Sequence, residues 1–221
     1  MIVKDLQRLP RFLISLIFLI GLTITVFRGS GIVTLMDSGF QQMIQGTVTT
    51  VETQLMTIIS AVSSPTMSIV YTLILALILW VIRYRIAAIW ALCTLIGGDV
   101  IAKLMKDFVH RARPVDHLAV DDGFSFPSGH VFGFFIVVAL IWILVMPLIQ
   151  NQLIGAIIRI VTIVLLLLVV IARIYLSAHF PTDTFGAMLL AYTWLQVAEW
   201  LAIGLIPILQ KWPLLKDSKV A

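Results

Sequence analysis

Long apolar stretches separated by short polar segments dominate this sequence and restrict what it can fold into. A helix that spans a bilayer needs roughly 20 mostly apolar residues, with ~17 as a practical minimum. The chain contains no repeats or linkers, so an all-α integral membrane protein with a single domain over residues 1–221 is predicted. Six stretches come near or pass the required length, and each is predicted to be a transmembrane helix: Phe12–Phe27, Pro65–Ile82, Ile86–Met105, Val131–Ile149, Ile157–Leu176 and Phe185–Ile208.

The composition excludes the soluble classes of protein. Apolar residues make up 61% of the 221 positions and charged residues only 12%, whereas an ordinary soluble domain is ~45–50% apolar. A soluble protein of this size cannot hide so much apolar surface in one core. A cytosolic globular enzyme, a disordered chain and a fibrous repeat are therefore excluded. The single cysteine, Cys93, has no partner, so no disulfide framework is expected.

The distribution of lysine and arginine predicts which loops lie on which side of the membrane. With an even number of spans both termini share one side, and placing them in the cytoplasm puts nine of the 15 cationic residues there. Cytoplasmic loops carry an excess of Lys and Arg. Both termini are therefore predicted to be cytoplasmic, and the two longest loops, residues 28–64 and 106–130, to face outward. The first of these loops has a pattern compatible with a helix that lies on the membrane.

Ionisable side chains at membrane depth are costly and are therefore candidates for function. The first cluster of them follows the third predicted span, where Lys106 and Arg113 are seven residues apart, just short of two helical turns. Pro114 disfavours helix at the residue before it, so the helix is predicted to end there. If the helix reaches Arg113, one stripe carries Asp99, Lys103, Lys106, His110 and Arg113.

The second cluster is the segment Pro127–His130, directly before the fourth predicted span. Ser128 is a natural N-cap, and Gly129 allows the backbone to approach a ligand closely. The free N–H groups of a helix N-terminus bind anions. His130 lies at the same edge, within reach of an anion held by those amides.

The third cluster closes the fifth predicted span and opens the sixth, with Arg173, His179 and Asp183. His179 and Asp183 are four residues apart, so a helical turn brings the carboxylate to the imidazole. A carboxylate that binds one ring nitrogen fixes the tautomer and makes the other nitrogen a better nucleophile or base.

The three clusters together resemble the signature motifs of the type 2 phosphatidic acid phosphatase superfamily. The motifs are Lys-x6-Arg-Pro at Lys106–Pro114, Pro-Ser-Gly-His at Pro127–His130 and Arg-x5-His-x3-Asp at Arg173–Asp183. Their order, spacing and position on the predicted spans match, as does the six-helix pattern. The family usually has Ser before the third-motif Arg, and this sequence has Ala172 there.

The resemblance implies a role for each motif residue. His179 is expected to be the nucleophile that takes the phosphoryl group, Asp183 to orient it, and His130 to protonate the leaving oxygen. Phosphoryl transfer depends mainly on positioning and on charge compensation, which two arginines and a lysine supply without a metal or cofactor. The residues expected to hold the phosphate oxygens are Lys106, Arg113, Ser128, Gly129 and Arg173.

The same resemblance implies a hydrolase of phospholipid or cell-envelope metabolism, with a membrane lipid phosphate as substrate. Phosphatidylglycerophosphate, undecaprenyl pyrophosphate and phosphatidic acid are all compatible with the sequence. We expect a bacterial plasma-membrane enzyme with its active site at the outer membrane edge. Neither a nucleic acid nor an obligatory protein partner is implied.

Other interpretations of the charged residues stay open at this point. The loops could hold structural salt bridges only, and an inactive lipid-binding relative would look similar. An ion-coupled transporter could use Asp99 and Glu199. We interpret Asp99 as pairing with Lys103, and Glu199 as a buried hydrogen-bonded group or one near the inner membrane edge. Three further residues are interpreted as surface residues, with contact to lipid headgroups as the alternative: His110, Arg111 and His117.

Overall fold

The computed structural model describes residues 5–46, 48–115, 118 and 121–219, and within them all regular secondary structure is helical. Lys4 and His117 lie outside the described residues. The all-α prediction is confirmed. The helices are α1 (Arg8–Phe27), α2 (Gly31–Ile44), α3 (Thr50–Val62), α4 (Pro65–Val81), α5 (Arg85–Val109), α6 (Gly129–Leu140), α7 (Gln152–Tyr175) and α8 (Pro181–Leu209).

The protein is a multi-pass membrane protein with five or six candidate spans. Helices α1, α5, α7 and α8 are long and apolar enough to cross a membrane, and so is α6 once the π-helical and 3₁₀ turns that extend it to Leu148 are included. The span predicted at Pro65–Ile82 is confirmed in part, because α4 covers it but its 17 residues are only the practical minimum for crossing a membrane. It supplies a sixth crossing only together with α3, from which it is bent by 49°.

The bend between α3 and α4 has a local cause in the sequence. Ser64 caps α4, and its side chain accepts a hydrogen bond from the backbone N–H of Met67 at 3.3 Å. Pro65 occupies the first turn of α4, where a missing N–H costs nothing, and it cannot continue α3. The first long loop of the sequence, residues 28–64, holds two helices, α2 and α3, where the sequence indicated one. Helix α2 packs on α7 and α8, and α3 packs on α7.

The centre of the bundle lies between α5, α6 and α8, where small residues allow close approach. A Cβ atom at Gly98 of α5 would lie 2.9 Å from Cζ of Phe132 and 3.0 Å from Cδ1 of Trp194. Small residues of this kind are typical of helix contacts in membranes, where packing drives association. Six side chains of α6 and α8 are fully buried at this centre: Val131, Phe132, Ile136, Leu140, Ala187 and Ala191.

The two ends of the bundle differ in what they hold. At one end, Arg8 at the start of α1 forms an ion pair with Glu199 of α8, and the segment after α8 returns to the α4–α5 turn, where the Lys219 N–H donates to the Arg83 carbonyl at 2.9 Å. Glu199 is therefore hydrogen-bonded, as the sequence indicated, but it is only partly buried, with 15% of its side chain exposed. The end of α5, the start of α6, the end of α7 and the start of α8 meet at the other end of the bundle.

Candidate active site

Helix α5 ends before it reaches Arg113, the last residue of the predicted stripe of charged side chains. Its last residue is Val109, and His110 takes a left-handed conformation with φ 51°. The prediction of one helical stripe reaching Arg113 was wrong, because Arg113 lies in the following loop. His110 is exposed, as predicted, and its ring packs against Phe124 with 4.3 Å between ring centroids. Asp99 and Lys103 form no ion pair in the described part of the chain.

Although Arg113 lies outside α5, the loop before α6 binds both Lys106 and Arg113. Lys106 Nζ donates to the carbonyl oxygen of Phe124 at 2.7 Å. Arg113 donates from Nε to the Gly123 carbonyl at 3.0 Å and from Nη2 to the Asp122 carbonyl at 2.9 Å. Three consecutive carbonyl groups therefore bind both cations that the first motif supplies.

Arg173, at the end of α7, is buried and held by an acidic side chain of the same loop. Only 1% of its surface is exposed, and it forms an ion pair with Asp121 and donates to the Ser60 hydroxyl. The Asp121 carboxylate is also 3.7 Å from Arg113 Nη1. Burial raises the pKa of Asp121, but the Arg173 guanidinium outweighs this effect and leaves that pKa below its usual value.

The start of α6 adjoins the start of α8. The backbone N–H of Ser128, the N-cap of α6, donates to the Asp183 carbonyl at 3.1 Å. Gly129 and His130 form the first turn of α6, and the charges of Arg173 and Asp121 act on the His130 ring. Within the described residues, Ser128 Oγ is a buried polar atom without a hydrogen-bond partner, and so is Arg173 Nε.

His179 lies between α7 and α8 with its two ring nitrogens in different surroundings. Ser125 Oγ donates to Asp183 Oδ2 and lies 3.4 Å from His179 Nδ1, which is itself 3.7 Å from that carboxylate oxygen. The Nδ1 side is therefore held through Ser125 as well as by the carboxylate. The Nε2 side faces Arg113, whose Nη1 is 3.4 Å away. Burial lowers the pKa of His179 to about 4, although the nearby Asp183 carboxylate opposes this, so the ring is neutral at neutral pH.

Asp183 is fully buried, and a second set of contacts fixes it. Its Oδ2 accepts from the Phe180 N–H at 2.8 Å, and its Oδ1 accepts from Arg111 Nη1 at 2.6 Å. Arg111 Nη2 in turn donates to Asp37 Oδ2 on α2 at 2.5 Å. The interpretation of Arg111 as a surface residue was wrong, because its side chain is only 15% exposed and joins two buried carboxylates.

All the predicted site residues lie at this end of the bundle, and the structure adds five that the sequence analysis did not assign to the site: Asp37, Ser60, Arg111, Asp121 and Ser125. Asp37 had a signal, since it is the only acidic residue between Asp5 and Glu52 and a lone charge near apolar spans is a functional candidate. In the described part of the chain, no three His, Cys, Asp or Glu side chains are grouped as a metal site requires.

The protein is thus a helical membrane bundle with cationic side chains and a carboxylate-held histidine gathered at one end. The sequence profile of the PAP2 superfamily matches residues 87–203, more than half of the chain, and the protein belongs to that family. It is a PAP2-family membrane lipid phosphatase.

A solved structure supports the fold. The crystal structure described as the first transmembrane PAP2 type phosphatidylglycerolphosphate phosphatase from Bacillus subtilis superposes with a TM-score of 0.77. It is 21% identical in sequence, and the match covers 91% of this chain and 98% of that one. No curated protein matches the sequence.

Proposed function

We propose that this protein hydrolyses a phosphate monoester or pyrophosphate of a membrane lipid through a phosphohistidine intermediate, without a metal ion. The observation that carries the proposal is the asymmetry of His179. Its Nδ1 side is held by Ser125 and Asp183, while Nε2 faces Arg113 at 3.4 Å. A neutral imidazole with one nitrogen held by a carboxylate is a competent nucleophile at the other.

In the first step, His179 Nε2 attacks phosphorus and forms an N–P bond while the bond between phosphorus and the lipid oxygen breaks. His130, in its protonated form, gives its proton to the departing oxygen. His130 then takes a proton from a water molecule that attacks the phosphohistidine, and inorganic phosphate leaves. General acid–base catalysis of this kind typically contributes 10²–10⁴-fold to the rate.

The cations at this end of the bundle would hold the phosphate oxygens. Arg113 and Arg173 offer forked donors, and Lys106 adds a point charge. Ser128 Oγ and Arg173 Nε are buried without protein partners among the described residues, which suits two further bonds to an anion. The backbone N–H of Gly129 lies in the first turn of α6, where a helix N-terminus favours negative charge. On this proposal the phosphate replaces Asp121 as the anionic partner of the arginines.

The position of the site suits a substrate anchored in the bilayer. A lipid tail would remain between the spans while its headgroup meets the cations at the end of the bundle. The excess of Lys and Arg at the other end favours a plasma membrane in which this site faces outward. Phosphatidylglycerophosphate, undecaprenyl pyrophosphate and phosphatidic acid are the candidate substrates, and relative rates on the three would rank them.

The test uses the purified full chain in detergent with each of these three lipids. We expect phosphate release that persists in excess EDTA, and an acid-labile phosphoprotein trapped from radiolabelled phosphatidic acid. His179→Ala should abolish both signals while lipid binding remains, whereas His110→Asn, a change at an exposed histidine of the same bundle end, should retain both. Near-normal turnover of His179→Ala, or loss of activity in EDTA, would overturn the proposal.

A further inference from the structure

A row of three charged side chains connects α2 to the start of α8 behind the proposed nucleophile. Asp37 and Asp183 are 2% and 0% exposed, and the Arg111 guanidinium lies between them. The contacts are 2.5 Å from Nη2 to Asp37 and 2.6 Å from Nη1 to Asp183. The guanidinium also packs over the Phe180 ring, 4.2 Å from its centroid. One cation thus serves two buried carboxylates.

Asp37 also binds the first turn of α8 directly. Its Oδ1 accepts from the Thr182 N–H at 2.9 Å and its Oδ2 from the Thr182 hydroxyl at 2.8 Å. A carboxylate at a helix N-terminus satisfies N–H groups that have no partner within the helix. Helix α2 therefore anchors the turn that carries Asp183, and the anchor includes the charge of Arg111.

The same arginine also fixes the loop that carries Ser125. The Ser125 N–H donates to the Arg111 carbonyl at 2.8 Å, and Ser125 Oγ lies between His179 Nδ1 and Asp183. With Oδ1 of Asp183 bound by Arg111, Oδ2 is left to face Ser125 and His179. Arg111 thus helps to determine the orientation of the carboxylate without itself touching the nucleophile.

We propose that Arg111 and Asp37 are positioning residues for phosphotransfer, which hold Asp183 ionised and oriented toward His179. This inference rests on the proposed function. Without Arg111, Asp37 and Asp183 would be two buried carboxylates with no cation between them, and one of them would take up a proton. A protonated or rotated Asp183 would no longer orient the imidazole, so attack on phosphorus would slow.

The groups that face Asp183 come from every neighbouring element, and their charges determine the effect of pH. Arg111 and His179 act on it directly, and Lys106 of α5 lies within range of its charge. Asp37 approaches from α2 through Arg111. Four further ionisable groups of the candidate site surround this row: Arg113, Asp121, His130 and Arg173.

The experiment measures the rate of phosphoprotein formation from radiolabelled phosphatidic acid between pH 4 and 9 in the full chain. Arg111→Gln should slow it about 100-fold at neutral pH, the usual cost of a misplacement near 1 Å, and should move the acid-side midpoint upward by at least one pH unit. Arg111→Lys should restore the midpoint and part of the rate. Arg159→Gln, an exposed arginine on α7, is the matched control and should behave as wild type.

The double variant Arg111→Gln/Asp37→Asn separates positioning from general structural damage. Removal of the second carboxylate removes the repulsion, so the midpoint should return toward the wild-type value and the rate should recover at least fivefold over Arg111→Gln. A double variant no better than the single one, or an unchanged midpoint in Arg111→Gln, would overturn the inference. The wild type is measured first. If it forms no phosphohistidine, the proposed function itself fails, and this outcome is distinguishable from a failure of the inference about Arg111 and Asp37.

Discussion

Gly186, one turn into α8 beyond Asp183, is the position where the smallest substitution should disturb the site most. A Cβ atom there would lie 2.3 Å from Cε2 and 2.6 Å from Cζ of Phe126. Phe126 has no exposed surface, so its ring has no room to move away. Phe126 also lies two residues before Ser128, the N-cap of α6. A displacement of this ring is therefore transmitted to the helix end that carries His130.

The magnitude follows from these distances. An ordinary contact between carbon atoms is ~3.5–4.0 Å, so Gly186→Ala requires a shift of about 1 Å or more between α8 and Phe126. Overpacking of this kind costs about 1–3 kcal/mol of folding free energy. A misplacement of that size near reacting groups costs about 100-fold in rate. We therefore expect a modest loss of stability and a much larger loss of turnover.

Gly204 supplies the matched control in the same helix, since a Cβ atom there would have no neighbour within 4 Å. Gly204→Ala should keep full activity, because the added methyl group displaces no neighbour. It should also not lower stability, because alanine is the better helix former by about 1 kcal/mol. Turnover of phosphatidic acid in detergent and thermal unfolding followed by tryptophan fluorescence measure both variants. If Gly186→Ala retained activity within twofold of Gly204→Ala, the packing argument would be refuted.

Two further predictions concern charge. Asp121→Asn removes the carboxylate that neutralises Arg173 and Arg113, so inhibition by orthovanadate should strengthen about tenfold, the equivalent of about 1.4 kcal/mol. Asp122→Asn, a change at an exposed neighbour, should leave the inhibition unchanged, and weaker inhibition in Asp121→Asn would contradict the reasoning. Burial lowers the pKa of His179 from 6.5 to about 4, so the unfolded chain is protonated first as the pH falls. The free energy of unfolding that this histidine contributes is complete above about pH 6.5 and is lost toward pH 4, a fall on the order of 3 kcal/mol. Thermal melts should show this fall in the wild type and not in His179→Gln.

The sequence predicted the meeting of the three motifs because their spacing relative to the apolar stretches places each at a helix end. It did not predict how Lys106 and Arg113 come together. Periodicity favoured one continuous helix, whereas the chain leaves the helix at His110 and returns through the carbonyl groups of residues 122–124. Tertiary hydrogen bonds of this loop override the local pattern, and no local signal encodes them.

Arg111 shows a second limit of prediction from sequence. Among neighbouring charges in a polar loop, nothing marks it as different from Asp107 or His110. Its partners are 72 and 74 residues away in sequence, on α8 and α2, so only the packing of these helices identifies it. The sequence analysis began a span at Pro65 but predicted no bend there, and the bend leads into α3, which packs against α7.

Two of the contacts described above come from outside the region that matches the family profile, residues 87–203. Asp37 binds Arg111, and Ser60 binds Arg173. A chimera that transplanted only the matched region would leave both arginines without these supports. Two side chains of the amino-terminal part, Asp37 and Ser60, thus reach the candidate site from outside the matched region, so the setting of its arginines depends on residues that belong to none of the three motifs.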